Sequence, residues 1–424
     1  MVNLPPKLEQ ILKSQFPLLL SIFKFLSKKK DSPPESLPES QHEEAPVQIP
    51  QDQVVSKLPK FHWINRIEQL VLDQLSFLNK GQTHVGMSVG SSSIKVIELK
   101  KTGKIWKLIH FGVIQLPEDA VINREIVNSV AVTENIKVLM NQIKLLNKNI
   151  CTSLSGTSLI VKRMTITSKD QKDLQDQVFW EAEQYLPFDV SEVVMDYQVL
   201  SKLNDKEVDV IFVAVKKSVL ESYMNCISGA GLKPTIVDLD FFALQNLVEA
   251  NYPVNANEAI AAVDLGASAM KVVIMAGGIP LFTKDAAIGG KSLTAEIQKN
   301  LNLSFLDAEA LKVSGGASGV IPQEVSELMQ NMADNLAMEI KKTIEFYRAS
   351  SMGPPVSSIL LTGGTAGLPG FSKIVEEAVG LPCQLVNPFN VISYDPSVFT
   401  PEYLNSIAPL AAIPIGLALR AGAS

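Results

Sequence analysis

Along much of the chain apolar residues come in short blocks cut by glycine and proline, the texture of strands alternating with helices. Residues 83–116 are strand-like throughout: an apolar run at 85–89, a Gly-Ser-Ser-Ser turn at 90–93, a second run at 94–99, then WKLIHFGVIQL. Residues 135–146 carry apolar positions at helical spacing, and strands return at 149–155 and 159–165. With the helix-spaced stretch 61–78 packed in front, this predicts a mixed first lobe over 61–165.

The texture changes over 166–238. A polar helix over 170–186, containing VFWEAEQYLPF, precedes strands at 193–200 and 208–215, a helix at 217–230 and a strand at 235–239. Helix, two strands, helix, strand predicts a compact insert with its own small core. Phe179, Ala182, Tyr185 and Leu186 are expected on the packed face of the first helix, with Glu181 and Gln184 in water.

Residues 239–424 then read as a second lobe. A strand pair at 262–274 is followed by the turn Gly277-Gly278, a strand at 280–283, and AAIGGKSLT running into a helix that Ser292 or Thr294 is placed to cap. A helix over 323–350 ends at Pro354-Pro355, a buried strand at 359–362 runs into Gly363-Gly364, and an apolar helix at 407–420 is expected to complete the lobe.

The front of the chain differs. Residues 31–60 are rich in Pro, Glu, Ser and Gln, which predicts a flexible linker. Before it, within 1–30, FPLLLSIFKFL is followed by three lysines. That run falls short of the roughly 18–20 apolar residues that span a bilayer, and its charges follow the apolar block instead of preceding it as in a signal peptide. It suits a helix lying on an anionic membrane surface or against a partner, or else an expendable leader.

Net charge is −6, which argues against a nucleic-acid protein held by general electrostatics. Three well-separated cysteines (Cys151, Cys226, Cys383) and four histidines predict neither a disulfide framework nor a zinc site, and fit a reducing compartment.

Candidate chemistry lies in the glycine turns. The stretch GMSVGSSSIKVIEL places Gly90, Ser91, Ser92 and Ser93 between two strands, with Lys95 just beyond. Small residues let backbone approach a ligand, and turn amides with hydroxyls cradle phosphate oxygens; the same pattern is also an ordinary hairpin turn. It has a second copy, AVDLGASAMKVVI, in which Gly266, Ser268 and Lys271 stand 176 positions after Gly90, Ser92 and Lys95 (266 − 90). Two related hairpins at that distance predict two lobes gripping a polyphosphate from opposite sides. One difference between the copies matters chemically: Asp264 stands where the first has Ser88. Gly363-Gly364, at the carboxyl end of a strand, is a third place where a flat ligand can meet bare backbone.

This order of glycine sites resembles the superfamily of actin, chaperone ATPases and sugar kinases. EAEQYLPFDVSEVVMDYQVL, AAIGGKSLTAEI, LLTGGTAGLPGF and IPIGLALR narrow the resemblance to PilM, the actin-like assembly protein family of type IV pili, over roughly residues 77–420. The resemblance implies an α/β (mixed) actin-like ATPase fold of two lobes, with a small α/β insert in the first and a helical and disordered leader in front. It implies ATP and Mg2+ in the cleft: Gly90, Ser91, Ser92, Ser93 and Lys95 on the phosphates, Asp264, Gly266 and Ser268 on the opposite side, Asp264 also near the metal through water, and Gly363 and Gly364 flanking the adenosine. It implies a cytoplasmic protein, peripheral at the inner membrane, that binds the cytoplasmic tail of PilN in a groove beside the insert and connects through PilN and PilO to the motor ATPases. Ser88 departs from the family's usual aspartate, so a nucleotide-binding scaffold with weak or no hydrolysis is expected. The alternatives on the same superfold are a working ATPase or sugar kinase and a polymerising FtsA-like filament protein.

Overall fold

The computed structural model describes residues 81–423, apart from 168–173, 205, 317–318 and 351–352. The leader, the linker and the 61–78 helix lie outside the described residues. The first sheet is built from β1 (Gln82–Val89), β2 (Ser93–Thr102), β3 (Ile105–Gln115), β6 (Asn149–Leu154), β10 (Lys233–Leu239) and β16 (Ile392–Ser393), in the order β10-β6-β1-β2-β3-β16. β1, β2 and β3 form an antiparallel meander, and β6 and β10 extend it in parallel. Between β3 and β6, the short hairpin of β4 (Val121–Ile122) and β5 (Glu125–Ile126) precedes helix α1 (Ser129–Gln142). α1 buries Val132, Ile136, Leu139 and Met140 against Val85, Met87, Ile94 and Val96 of the sheet.

The second sheet repeats the plan. β11 (Ala259–Leu265), β12 (Met270–Ala276) and β13 (Ile279–Ala286) form an antiparallel meander. β14 (Val356–Thr362) and β15 (Cys383–Leu385) extend it in parallel, giving the order β13-β12-β11-β14-β15. β11 and β12 are buried along their whole length, with Asp264 and Lys271 the charged residues in otherwise apolar runs. Helices α5 (Gly290–Leu301), α6 (Phe305–Ser314), α7 (Gln323–Ala349) and α8 (Phe371–Val379) cover this lobe.

The insert is smaller than its texture suggested, and shifted. Its sheet is β7 (Leu159–Thr167), β9 (Glu207–Lys216) and β8 (Val193–Lys202), antiparallel in that order, with α2 (Leu174–Glu183) packed on it. Its core joins Ile166, Leu174, Val178 and Ala182 to Val193, Val210, Phe212 and Ala214. The strand at 159–167, expected in the first lobe, therefore belongs to the insert. Conversely β10 pairs with β6, and α3 (Lys217–Gly229) packs with α1, so the helix and strand expected to close the insert belong to the first lobe. Periodicity located each element; only the ladder partners could say which sheet it joins. On α2 the packed face is Val178 and Ala182 with Phe179 and Leu186 partly covered, while Tyr185, expected inside, is 42 % exposed.

The last helix also packs elsewhere than its place in the chain suggests. α9 (Pro401–Ala423) lies against β1, β2 and β6 of the first sheet instead of completing the second lobe. Close backbone approach requires glycine there: a methyl group on Gly86 would run into the Pro414 carbonyl, and one on Gly416 into the Ala243 carbonyl. Ala243 lies on α4 (Asp240–Asn251), which touches strands of both sheets, so α4 and α9 form the helical layer joining the lobes. By length and composition α9 is also apolar enough to cross a membrane, a property it shares with core helices such as this one.

Candidate functional site in the cleft between two hairpin turns

The repeated hairpins fold alike. Gly90 N–H donates to Ser93 O at 3.0 Å, and Gly266 N–H to Ala269 O at 2.9 Å, so the two turns are closed by equivalent bonds. Cross-strand register pairs Ser88 with Lys95 in one hairpin and Asp264 with Lys271 in the other. The turns face each other, and the Ser268 hydroxyl donates to Ser91 Oγ at 2.6 Å.

The two equivalent lysines have different surroundings. Lys271 Nζ lies 2.7 Å from Asp264 Oδ2 and 2.7 Å from Asp240 Oδ2, all three side chains being buried. Asp240, at the start of α4, also accepts from Ser153 Oγ at 2.5 Å. Burial alone would lower the Lys271 pKa, but Asp240 and Asp264 outweigh it and hold the ammonium above its ordinary range. Burial would likewise raise the Asp240 pKa, and Lys271 with Arg124 holds it below the usual carboxylate range. Lys95, by contrast, makes no hydrogen bond or ion pair among the described residues, and its ammonium sits 3.8 Å from where a side chain on Gly90 would begin. Burial lowers its pKa; Asp264 and Asp240 oppose that and Lys271 adds to it.

Arg124 joins the lobes at the same place. It occupies the two-residue turn of the β4–β5 hairpin, where Asn123 (φ 49°) and Arg124 (φ 67°) both take the left-handed conformation that such hairpins favour. Tyr223 Oη donates to its carbonyl at 2.9 Å. Its guanidinium bonds Ser155 Oγ at 2.5 Å, reaches Asp285 of β13 at 3.5 Å and stands 4.0 Å from Asp240.

Around Gly266 the second lobe supplies its own donors. Its carbonyl accepts from Gly290 N–H at 3.1 Å and Thr365 Oγ1 at 2.9 Å, while Lys291 N–H donates to Ala267 O at 2.7 Å. Two free amides of the α5 amino terminus are thereby used on the turn. Neither expected cap is used: Gly289 is the N-cap, and Thr294 Oγ1 instead bonds back to Gly290 O at 3.1 Å and to Glu309 at 2.6 Å. Lys312 bonds Thr294 at 2.8 Å and Glu309 at 2.5 Å, forming a polar cluster behind Gly290. Gly363, at φ 89°, presses on the backbone of Leu265 and donates its N–H to Pro409 O at 2.9 Å. Its bare backbone thus serves the crossing of β14 and β11, and Gly364 starts a short 3-10 turn ending at Gly367.

The structure therefore brings Gly90, Ser91, Ser92, Ser93 and Lys95 together with Asp264, Gly266 and Ser268 about the Ser91–Ser268 contact, with Gly363 against Leu265 and Gly364 following it in the short turn. Sequence reasoning missed Lys271, Asp240, Arg124 and Asp285 as members of the site. Lys271 was visible as the repeat partner of Lys95, and Asp240 as the start of a helix. Arg124 and Asp285 carry no local signal, since only the docking of the lobes joins them. The residues present do not fit a magnesium site. Asp264 Oδ2 is engaged by an ammonium, Ser88 offers no carboxylate, and among the described residues no three His, Cys, Asp or Glu side chains are grouped to hold a metal.

Comparison with known proteins accords with this architecture. The family profile of the type IV pilus assembly protein PilM matches residues 86–422. The structure is similar to that of a PilM–PilN type IV pilus biogenesis complex, with a TM-score of 0.72 and 26% identity, covering 80% of this chain and 98% of that one. The ethanolamine utilization protein EutJ of Carboxydothermus hydrogenoformans shares the fold at 15% identity and a TM-score of 0.50, over 84% of this chain and 98% of that one. In sequence, the cell division protein FtsA of Bacillus subtilis (strain 168) is 19% identical over 370 residues, 76% of this chain and 82% of FtsA. With two actin-like lobes and a profile match that runs from the first glycine hairpin to the end of the last helix, the chain belongs to the PilM family of type IV pilus assembly proteins.

Proposed function

We propose that this protein is a cytoplasmic nucleotide-binding adaptor, peripheral at the inner membrane, that receives the cytoplasmic tail of a PilN-type membrane protein and turns nucleotide over slowly or not at all. The observation that carries the reading is the pairing of two equivalent turns over Lys95, a half-buried ammonium with no acceptor among the described residues. A polyphosphate between the turns supplies that acceptor, once the Ser91–Ser268 contact parts. Glu309, Lys312 and Thr294 then offer polar groups for a ribose on the second lobe. Slow turnover follows from the geometry of the site: Asp264 Oδ2 is occupied by the Lys271 ammonium at 2.7 Å, which keeps that oxygen from a water or a metal ion.

The partner reading is supported by the likeness to a chain that was solved with PilN. The insert also offers a suitable surface. Trp180 is 68 % exposed and Tyr185 42 % exposed on and beside α2, with Lys162 over the Tyr185 ring and Lys216 over Phe188. Aromatic anchors flanked by cations suit a short peptide. PilO and the motor ATPases would be reached through PilN, and the basic apolar leader supports a contact with anionic lipid. Calorimetric titration of the cognate PilN tail peptide into the full chain tests the adaptor role. Binding that weakens about tenfold in Trp180→Ala is expected; a peptide that does not bind the wild-type chain overturns it.

A further inference from the structure

Asp264 and Asp240 come from different segments, the end of β11 and the start of α4, yet each places an Oδ2 atom 2.7 Å from the same Lys271 Nζ. Two carboxylates from separate elements meeting at one point make an arrangement that also suits a bound divalent cation. Here the point is filled by the protein's own ammonium. The hairpin repeat sharpens the contrast. At the equivalent register one hairpin pairs Ser88 with Lys95 and the other pairs Asp264 with Lys271. One carboxylate is absent from the first copy, and the carboxylate of the second is covered by a cation.

We infer that Lys271 is the built-in counter-ion of this cleft, occupying the position between Asp264 and Asp240 that a divalent metal would need, so that polyphosphate binds at the turns without metal. The charges support this division of labour. Asp264 and Asp240 are paired with Lys271, and Asp285 with Arg124, so the carboxylates have cationic partners from the protein itself. Lys271 holds the carboxylates, which leaves Lys95 for phosphate. A magnesium ion and an ammonium cannot share the space, because magnesium needs oxygens at about 2.0–2.1 Å in a near-octahedral shell.

The metal half of this inference stands alone, whereas the polyphosphate half rests on the nucleotide reading. Titration of Mn2+ into the full-length protein, followed by electron paramagnetic resonance, tests the first. Wild type is expected to leave Mn2+ free, and Lys271→Ala to bind one ion at least about tenfold more tightly, an effect that Asp264→Asn removes. Wild-type binding that disappears in Asp264→Asn overturns the inference, as does a folded Lys271→Ala that binds no Mn2+. If Lys271→Ala does not fold, the wild-type and Asp264→Asn titrations decide. For the second half, ATP affinity of the wild type in EDTA and in magnesium should agree within about threefold; a loss of about tenfold or more in EDTA overturns it. Failure of ATP to bind in both buffers counts against the nucleotide reading and leaves the Mn2+ result to judge Lys271.

Discussion

Ser268 on the second hairpin donates its hydroxyl to Ser91 on the first at 2.6 Å, so the two turns touch across the cleft. In the proposed nucleotide-bound state a polyphosphate would part this contact and replace it with bonds of its own. Larger apolar side chains at this point would fill the gap without disturbing either sheet. Ser268→Val is therefore expected to weaken ATP binding by about tenfold or more while leaving the affinity for a PilN tail peptide unchanged. Calorimetry with both ligands on one preparation checks this.

Lys95 carries a stability cost that its function would justify. Burial depresses its pKa in the folded state, so between that value and the ordinary lysine value near 10.4 the unfolded chain binds more protons. Stability therefore rises with pH across that window, and below it the whole desolvation cost is present. Lys95→Met is expected to raise the thermal midpoint by a few degrees at neutral pH while weakening ATP binding. A lower midpoint would mean that attraction to Asp264 and Asp240 outweighs burial.

The hairpin repeat, the third glycine turn and most elements were legible in the sequence because each is a local pattern of period, turn and small residue. Allegiance of elements was not. β10 and the strand at 159–167 have the same texture, yet one joins the first sheet and the other the insert, because pairing over long separations decides it. The apolar run of α9 does not say which sheet it covers; Gly86, an unremarked strand residue, does so by admitting the Pro414 carbonyl. At the site, Lys95 and Asp264 stand beside the turns by their place in the sequence alone. The pairing of Lys271 with Asp240 needs α4 to start where it does, which is a fact of tertiary structure.

Helix α9 offers a direct test of its placement. Gly416 meets the backbone of Ala243 on α4 so closely that no Cβ fits. Gly416→Ala is expected to destabilise the protein by about 1–3 kcal/mol or more, since backbone on one side cannot yield as a side chain would. Alanine at Gly367, where a Cβ meets nothing within 4 Å, should stay within about 0.5 kcal/mol. Denaturant melts of the two variants make the comparison.

Asp196, on β8 of the insert, has its carboxyl pushed by burial from 3.8 up to about 6, with the Tyr197 amide opposing. A carboxyl raised in the folded state binds more protons there than in the unfolded chain between about pH 4 and 6. Its contribution therefore falls as pH rises through that window. Asp240, held low by Lys271 and Arg124, has the opposite sign, contributing stability that is lost in acid. Asp196→Asn should gain about 1–2 kcal/mol at pH 7 after allowance for solvent screening, and nothing at pH 4. The difference between wild-type and variant melting curves across pH isolates the effect from the other carboxylates.

ATP binding and phosphate release followed together on the full-length protein, with Lys95→Ala and Asp264→Ala beside it, test the proposed role of the paired turns. Saturable binding that Lys95→Ala abolishes is expected, with no steady phosphate release from the wild type. Steady release that vanishes in Asp264→Ala would make Asp264 a working catalytic carboxylate and contradict the reading of the cleft as a binding site held by its own lysine.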